Sequence, residues 1–139
     1  MADTAILWPL LIQILLTLAA YIALAMEKKR AVKNGEVDES RRGLYDDAWP
    51  ERVLKINNNI RNQFELPVLF YVLVLLSWQL HATATFALVV AWLFTLSRIL
   101  HAYIHTGSNY VPLRRNVFLF GCLMVLLLTF NVSRVLLAG

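Results

Sequence analysis

Four apolar segments dominate this sequence and limit the folds that the chain can adopt. They cover about residues 4–26, 66–80, 83–105 and 118–137. A stretch of about 20 predominantly apolar residues is long enough to cross a bilayer as a helix. Because 59% of the residues are hydrophobic and only 16% are charged, the pattern predicts an all-α integral membrane protein with a single domain, residues 1–139.

The basic residues indicate how such a protein lies in the membrane. Of its 13 lysines and arginines, all but Arg134 lie in two polar connections or in the helix ends beside them. Basic connections stay on the cytoplasmic side, so we expect both termini on the opposite side. The formal charge of +4 therefore reports topology, and no nucleic-acid partner is expected. The short length and the lack of a retention signal favour a bacterial inner membrane with periplasmic termini.

The segment boundaries predict an antiparallel bundle of four transmembrane helices, over about residues 4–34, 50–80, 83–105 and 114–137. No basic region precedes the first helix, so we expect it to stay in the membrane rather than to be removed as a signal peptide. Asp46, Asp47 and Pro50 predict the start of the second helix, with an acidic cap and a proline in the first turn. The polar connection before it is interpreted as solvated or, alternatively, as a lid over a site.

The second predicted helix changes from polar to apolar halfway along its length. At about 100° per residue, five polar residues of its first half fall within an arc of about 120° and share one face. They are Lys55, Asn58, Arg61, Asn62 and Glu65. Pro67 removes the hydrogen bond to the Gln63 carbonyl, so a kink is expected just beyond the polar face.

Depth in the membrane links this face to the third helix. The apolar half, Leu66 to Leu80, covers about 22 Å at the helical rise, whereas the hydrocarbon core is about 30 Å thick. Glu65 should therefore lie below the headgroups, where an unpaired charge costs at least about 2.5 kcal/mol. Counted from a turn centred near residue 82, Glu65 is 17 residues back and Arg98 is 16 residues forward. We therefore predict that Glu65 and Arg98 form an ion pair, either within a site or only to hold two helices in register.

Two histidines extend the polar face of the third helix. His101 and His105 follow Arg98 at i+3 and i+7 and share its face. A metal site is not favoured, because two histidines on one helix face cannot supply opposite axial ligands to one iron. A single cysteine, Cys122, excludes an internal disulfide and is interpreted as packing.

The order and spacing of these residues resemble those of a known family. Arg61-Asn62-x-x-Glu65-x-Pro67, followed by Arg98-x-x-His101 and then Pro112-x-Arg114, is similar to the pattern of MAPEG proteins, the membrane-associated proteins in eicosanoid and glutathione metabolism. The likeness covers essentially the whole chain. It implies a homotrimer that binds glutathione between neighbouring subunits, near the cytoplasmic side, and catalyses thiol conjugation, peroxide reduction or isomerisation.

The resemblance also implies roles for individual residues. Arg114 corresponds to the arginine that stabilises the glutathione thiolate and would be catalytic. The positions that would bind glutathione are Arg61, Asn62, Glu65, Arg98, His101 and His105. Arginines can hold the two carboxylates of glutathione in bidentate fashion, and Glu65 can accept from its ammonium group. Alternatively, Arg114 and Arg115 are interfacial anchors at a helix start.

Two functions from different classes follow. The first is a glutathione-dependent membrane transferase or peroxidase that acts on lipophilic electrophiles or lipid hydroperoxides, with glutathione as cosubstrate. The second is a non-catalytic membrane protein whose polar pocket binds lipid, stabilises the fold or holds a partner. Asn58 and His105 motivate the second, because several family enzymes have an arginine and a tyrosine there. In either case the expected partners are further copies of the chain, membrane lipids and lipophilic small molecules.

Overall fold

The computed structural model describes residues 3–139, and its regular structure is helical throughout that range. Five α-helices follow one another: α1 is Leu7–Lys33, α2 is Glu51–Gln63, α3 is Leu66–Gln79, α4 is Thr85–Thr106 and α5 is Val111–Ala138. Short 3₁₀ helices precede α1 and α2, at Asp3–Ile6 and Asp46–Ala48. Four helical stretches are long and apolar enough to cross a membrane, with α2 and α3 together forming the second. The predicted all-α fold with four spans is confirmed.

The second span contains a break where a kink was predicted. α2 ends at Gln63, and the Phe64 amide donates to the Arg61 carbonyl at 3.1 Å. Glu65 then leaves the helical conformation, with φ −99° and ψ −102°, before α3 begins. Pro67 lies in the first turn of α3, where its missing N–H costs little. The continuous helix predicted over residues 50–80 is therefore two helices, and the break changes the direction in which Glu65 points.

The ends of the other helices follow from local chemistry. α1 ends at Lys33, and Gly35 adopts a left-handed conformation with φ +68°, as a helix stop near this glycine requires. Pro50 precedes α2 rather than lying in its first turn, and the expected acidic cap is replaced by the short helix Asp46–Ala48. α5 begins at Val111, three residues before the predicted position 114. Pro112 fits there because the first turn of a helix needs no donor.

The apolar core lies in the half of the bundle that contains the chain termini. Phe70 of α3 and Phe94 of α4 stack at its centre with ring centroids 4.2 Å apart, and both are fully buried. Gly121 lets α5 approach closely, because a Cβ at this position would lie 3.4 Å from the Leu66 side chain. Such contacts matter because helices in lipid associate mainly through close packing. The other half of the bundle contains most of the buried polar side chains.

The long polar connection folds onto the ends of α1 and α2. Arg52 donates to Glu27 at 2.7 Å and also pairs with Glu36, which joins α2 to α1 and to the connection. Arg41 binds both carboxylate oxygens of Asp47 at 2.9 Å. The connection reaches the predicted site residues through Asp46, which pairs with Arg61.

Candidate functional site

A pocket of about 340 Å³ opens between α2, α4 and the start of α5. Three residues predicted for the site line it, one from each of these helices: Asn62, His101 and Arg114. Its remaining wall consists of Val111, Arg115 and Phe118 of α5. The structure therefore brings together residues that lie more than 50 positions apart in the sequence, with two arginines at the mouth.

Asn62 and the two histidines form one wall of this region. The Asn62 side-chain nitrogen lies 3.3 Å from Nδ1 of His105. The amide nitrogen donates in this contact, so Nδ1 of His105 is the acceptor. The proton of the neutral His105 ring therefore lies on Nε2. The His101 and His105 rings are 5.6 Å apart and nearly perpendicular. The contact with Asn62 fixes the orientation of His105, which lies beside the pocket that His101 lines.

Arg98 is the most unusual side chain in the bundle. It is fully buried, and none of its three guanidinium nitrogens has a hydrogen-bond partner among residues 3–139. The nearest stabilising contact is the Phe118 ring, whose centroid lies 5.9 Å from the guanidinium carbon. A cation–π contact at this distance is weak, whereas burial of an unpaired charge is strongly unfavourable. The side chain therefore needs an acceptor, and the Phe118 ring beside it also lines the pocket.

The predicted ion pair between Glu65 and Arg98 does not form within the described chain. Glu65 is exposed, and none of the Arg98 guanidinium nitrogens has a hydrogen-bond partner among residues 3–139. Depth matching gave the height of the two residues along the bundle but not the direction in which each points. The break at Glu65 turns this carboxylate outward, so the prediction of a direct pair is wrong for a single chain.

Arg61 does not line the pocket for which it was predicted, and its contacts lie elsewhere. Its guanidinium pairs with Asp46 and donates to the Asn58 side-chain oxygen at 3.3 Å. Arg61 and Asn62 are adjacent, so their side chains diverge by about 100°. Only Asn62 lines the pocket. The shared face predicted for these residues was too broad to separate the two directions.

Arg114 is positioned by the short link between α4 and α5. Its guanidinium donates to the side-chain oxygen of Asn109, which has a left-handed backbone with φ 52°. The Asn109 amide in turn donates to the Ile104 carbonyl at 2.7 Å. Asparagine tolerates this conformation better than most residues, and it also supplies the acceptor. Sequence reasoning missed Asn109 and Phe118, although Phe118 follows Arg114 by one helical turn on the same face.

A row of buried carboxamides lies beside the site at the interface of α1 and α2. Gln13 donates to Gln63 at 2.6 Å, which joins the two helices inside the bundle. Asn59, one turn before Gln63, is also buried, and its side-chain oxygen has no partner. Gln13 is the one amide or charged side chain between residues 4 and 26, and this exception in the sequence indicates its interior position.

The electrostatics of the pocket favour an anion. Arg114 and Arg115 line it, Arg98 lies beside Phe118, and no acidic residue is part of its lining. Arginine remains protonated in proteins and binds carboxylates in a planar, bidentate geometry. Within residues 3–139 there is no group of three or more histidine, cysteine and acidic side chains placed to hold a metal. The arrangement therefore suits binding of a carboxylate or thiolate.

Comparison with known proteins gave one family. The model of the MAPEG family matches residues 5–133, nearly the whole chain. No match was found among curated proteins or among solved structures. A match over this length, together with four helices able to cross a membrane, identifies the fold and its environment. The chain is an integral membrane protein that belongs to the MAPEG family.

Proposed function

We propose that this protein is a glutathione-dependent membrane transferase or peroxidase that acts on lipophilic electrophiles or lipid hydroperoxides. The observation that carries the proposal is the pocket of about 340 Å³ where Arg114, Asn62 and His101 meet. Membership of the MAPEG family supports the same cosubstrate. Lipophilic substrates would reach such a pocket from the bilayer, and the tripeptide would enter from the water at the helix ends.

The charges of glutathione match the groups around the pocket. Its two carboxylates suit guanidinium groups, and Arg98 is a buried guanidinium that has no acceptor in the described part of the chain. Asn62 and His101 can form hydrogen bonds with the peptide groups of the ligand. Glu65, which is exposed, can accept from the ammonium group. Arg61 would have to exchange Asp46 for a ligand carboxylate in order to contribute.

Arg114 would supply the chemistry. A guanidinium beside the glutathione sulfur stabilises the thiolate relative to the thiol, whose ordinary pKa is about 8.5. In conjugation, the thiol releases its proton to water, the thiolate attacks an electrophilic carbon, and a leaving group departs with its electron pair. In peroxide reduction, the thiolate attacks the terminal oxygen of the hydroperoxide and the O–O bond breaks. The alkoxide that leaves takes a proton to become an alcohol. The resulting sulfenic acid then reacts with a second glutathione to give the disulfide and water.

Assembly and orientation form part of the same proposal. Arg61, Phe64 and Glu65 are exposed on the surface of one chain although they belong to a membrane span. Charged groups at such depth avoid lipid and face protein or water. We therefore infer a homotrimer in which this surface meets a neighbouring subunit and glutathione lies between the two. The inferred location is a bacterial inner membrane, with the α1–α2 and α4–α5 connections cytoplasmic.

Replacement of Arg114 tests the proposal directly. Purified protein in lipid nanodiscs should conjugate glutathione to chlorodinitrobenzene and should gain thermal stability when glutathione is added. Arg114→Ala should lower kcat/KM by about 100-fold, as expected for removal of one charge-stabilising group, and should abolish the absorbance of bound thiolate. Arg134→Ala, which removes an exposed arginine near the other end of α5, serves as the control. If glutathione changes neither stability nor turnover of the native protein, the proposal is wrong.

The structure also supports a second candidate, a non-catalytic member of the family. Arg61 is already satisfied by Asp46 and Asn58, so the pocket has one ligand-binding arginine fewer than the sequence suggested. In this case the pocket would bind a lipid headgroup or a partner. Mass spectrometry of the purified protein would then detect a retained anionic lipid that glutathione does not displace.

A further inference from the structure

A second pocket, separate from the candidate site, lies between α1, α2 and α4. Its volume is about 350 Å³, within the range of about 300–1,000 Å³ typical of small-molecule sites. Small side chains of α1 and α4 create the space, among them Ala20, Ala23 and Ala102. We call it the α1/α4 groove.

Asn59 is the buried polar side chain of the groove, whose other polar residues, Tyr103 and Thr106, are exposed. Asn59 of α2 lines the groove, its side chain is only 2% exposed, and its carbonyl oxygen has no hydrogen-bond partner among residues 3–139. An unsatisfied acceptor in the interior costs about 1–3 kcal/mol. A ligand that carries a hydrogen-bond donor would remove this cost, whereas a purely apolar ligand would not.

The groove lies inside the membrane, close to the end of α4. Thr95 donates to the Pro9 carbonyl at 3.0 Å, which aligns the first half of α4 with the start of α1. Lys55 lies 3.3 Å from the Gly107 carbonyl, at the level where α4 ends. Asn59 is one helical turn from Lys55, about 6 Å farther inside. Asn59 therefore lies just below the headgroup region. Ile56 and Thr106 line the groove on the headgroup side of Asn59, and Leu16 and Ile99 line it toward the middle of the bilayer.

The groove and the candidate site occupy different faces of the same helices. On α4, the centre of the groove face, midway between Ala102 and Tyr103, lies about 120° around the helix from the centre of the face of Arg98 and His101. On α2, Asn59 lines the groove and Asn62 lines the other pocket. A ligand in the groove would therefore not occupy the site proposed for glutathione.

The chemistry of the lining selects the ligand. All residues that line the groove are uncharged, so a charged headgroup would lose its hydration without gaining a counterion. The apolar walls suit a hydrocarbon chain, and Tyr103 at the mouth offers a polar group near the water interface. A hydroxyl can donate to the Asn59 carbonyl oxygen, which is the atom that lacks a partner.

We propose that the α1/α4 groove binds a neutral long-chain amphiphile through a hydrogen bond from its hydroxyl group to the Asn59 side chain. The acyl chain runs between α1 and α4 toward the centre of the bilayer. This inference is independent of glutathione and of catalysis, because it rests on a face of the bundle that the proposed reaction does not use.

Photolabelling in lipid nanodiscs tests the inference. The probes are a long-chain alcohol with a diazirine in mid-chain and an alkane of the same length with the same diazirine. Labelled peptides are identified by mass spectrometry. The alcohol should label the groove segments of α1 and α4 about fivefold more than the alkane, the preference that one hydrogen bond supplies. Excess unlabelled alcohol should suppress this labelling more effectively than unlabelled alkane.

Paired variants separate the hydroxyl from the hydrocarbon. Asn59→Leu should make alcohol and alkane label equally, whereas Asn57→Leu on the same helix should preserve the difference. Ala20→Leu fills the groove and should reduce labelling by both probes several-fold, but Ala25→Leu, at an exposed position, should not. Size-exclusion profiles confirm that each variant is folded. If one is not, competition on the native protein still decides between hydroxyl recognition and its absence.

Two results would overturn the inference. The first is equal labelling of the native groove by alcohol and alkane, which would mean that the hydroxyl is not recognised. The second is protection of the groove from both probes together with disulfide formation between copies of an Ala20→Cys variant. That result would assign the groove to contact between subunits instead of a lipid.

Discussion

Arginines have different surroundings in two regions of the molecule. One region is the polar connection between α1 and α2, and the other is the interior of the bundle. In the connection, Arg52 and Arg41 each contact carboxylates at hydrogen-bond distance, and these partners are partly exposed to water. In the interior, Arg98 is fully buried and has no hydrogen-bond acceptor within residues 3–139. Both regions belong to the same end of the bundle. In the isolated chain, these arginines of the connection have carboxylate partners, whereas Arg98 in the interior has none among residues 3–139.

This difference indicates which charges serve the fold. Ion pairs at a surface contribute little, typically about 0–1 kcal/mol, and can be exchanged without loss of the structure. A buried charge without a partner lowers the stability of the protein. Arg98 therefore does not stabilise the isolated bundle, and a role in binding explains its presence better than a role in folding.

Packing in the interior, not charge pairing, should give the largest effect on stability. Phe94→Ala removes a fully buried ring that stacks on Phe70. We expect a loss of about 3 kcal/mol, the lower end for a buried phenylalanine, because transfer from lipid adds little to the lost packing. This loss is measured by unfolding the detergent-solubilised protein with increasing amounts of a denaturing surfactant. Phe86→Ala, at a 47% exposed position on the same helix, is the control, and an equal loss in both variants would contradict this view of the core.

Removal of the unpaired charge should act in the opposite direction. Arg98→Met keeps a long apolar side chain but deletes the guanidinium, so it should raise the free energy of unfolding by about 2 kcal/mol in the absence of glutathione. The same variant should lose the thermal stabilisation that glutathione gives. Arg134→Met, at an exposed position outside the pocket, should change neither quantity. A destabilised Arg98→Met protein would mean that Arg98 already has a partner, and the contrast between the two regions would disappear.

The ion pairs of the connection should matter less, and unequally. Arg52→Ala breaks contacts that join α1, α2 and the connection, so we expect a small but measurable loss of stability. Arg41→Ala breaks a contact within the connection, and its effect should be smaller. Thermal unfolding of both variants at low and high salt measures the difference. Equal effects would show that Arg52 does not fix the arrangement of the helices.

The smallest expected effect is a dependence on pH. Hydrogen bonding to Arg52 holds the pKa of Glu36 below its ordinary value of 4.5. Because the folded pKa is the lower one, the stabilisation is complete above pH 4.5 and is lost as the pH falls through the lowered folded pKa. Thermal midpoints measured from pH 6 downward should therefore fall less in Glu36→Gln than in the native protein. An unchanged slope would exclude this pair as a source of acid sensitivity.

The sequence alone determined the architecture and the residues of interest. Segment length and hydropathy predict four spans because each span must satisfy its backbone hydrogen bonds within a helix. Pro67 predicts the interruption of the second span for an equally local reason. The spacing of Arg98, His101 and His105 predicts one helix face, and Gln13 is conspicuous as the polar exception in the first span.

Only the tertiary structure decided which of these residues meet. Sequence counting gives height along a helix but not direction around it once a break intervenes, so Glu65 and Arg98 share a depth without forming a pair. Adjacent Arg61 and Asn62 diverge toward Asp46 and His105. The packing of the five helices decides three further features. Asn109 contacts Arg114, and Phe118 lines the pocket. Asn59 lies in the α1/α4 groove, where its side-chain oxygen has no partner among residues 3–139. Packing is a long-range property, and no local pattern in the sequence specifies it.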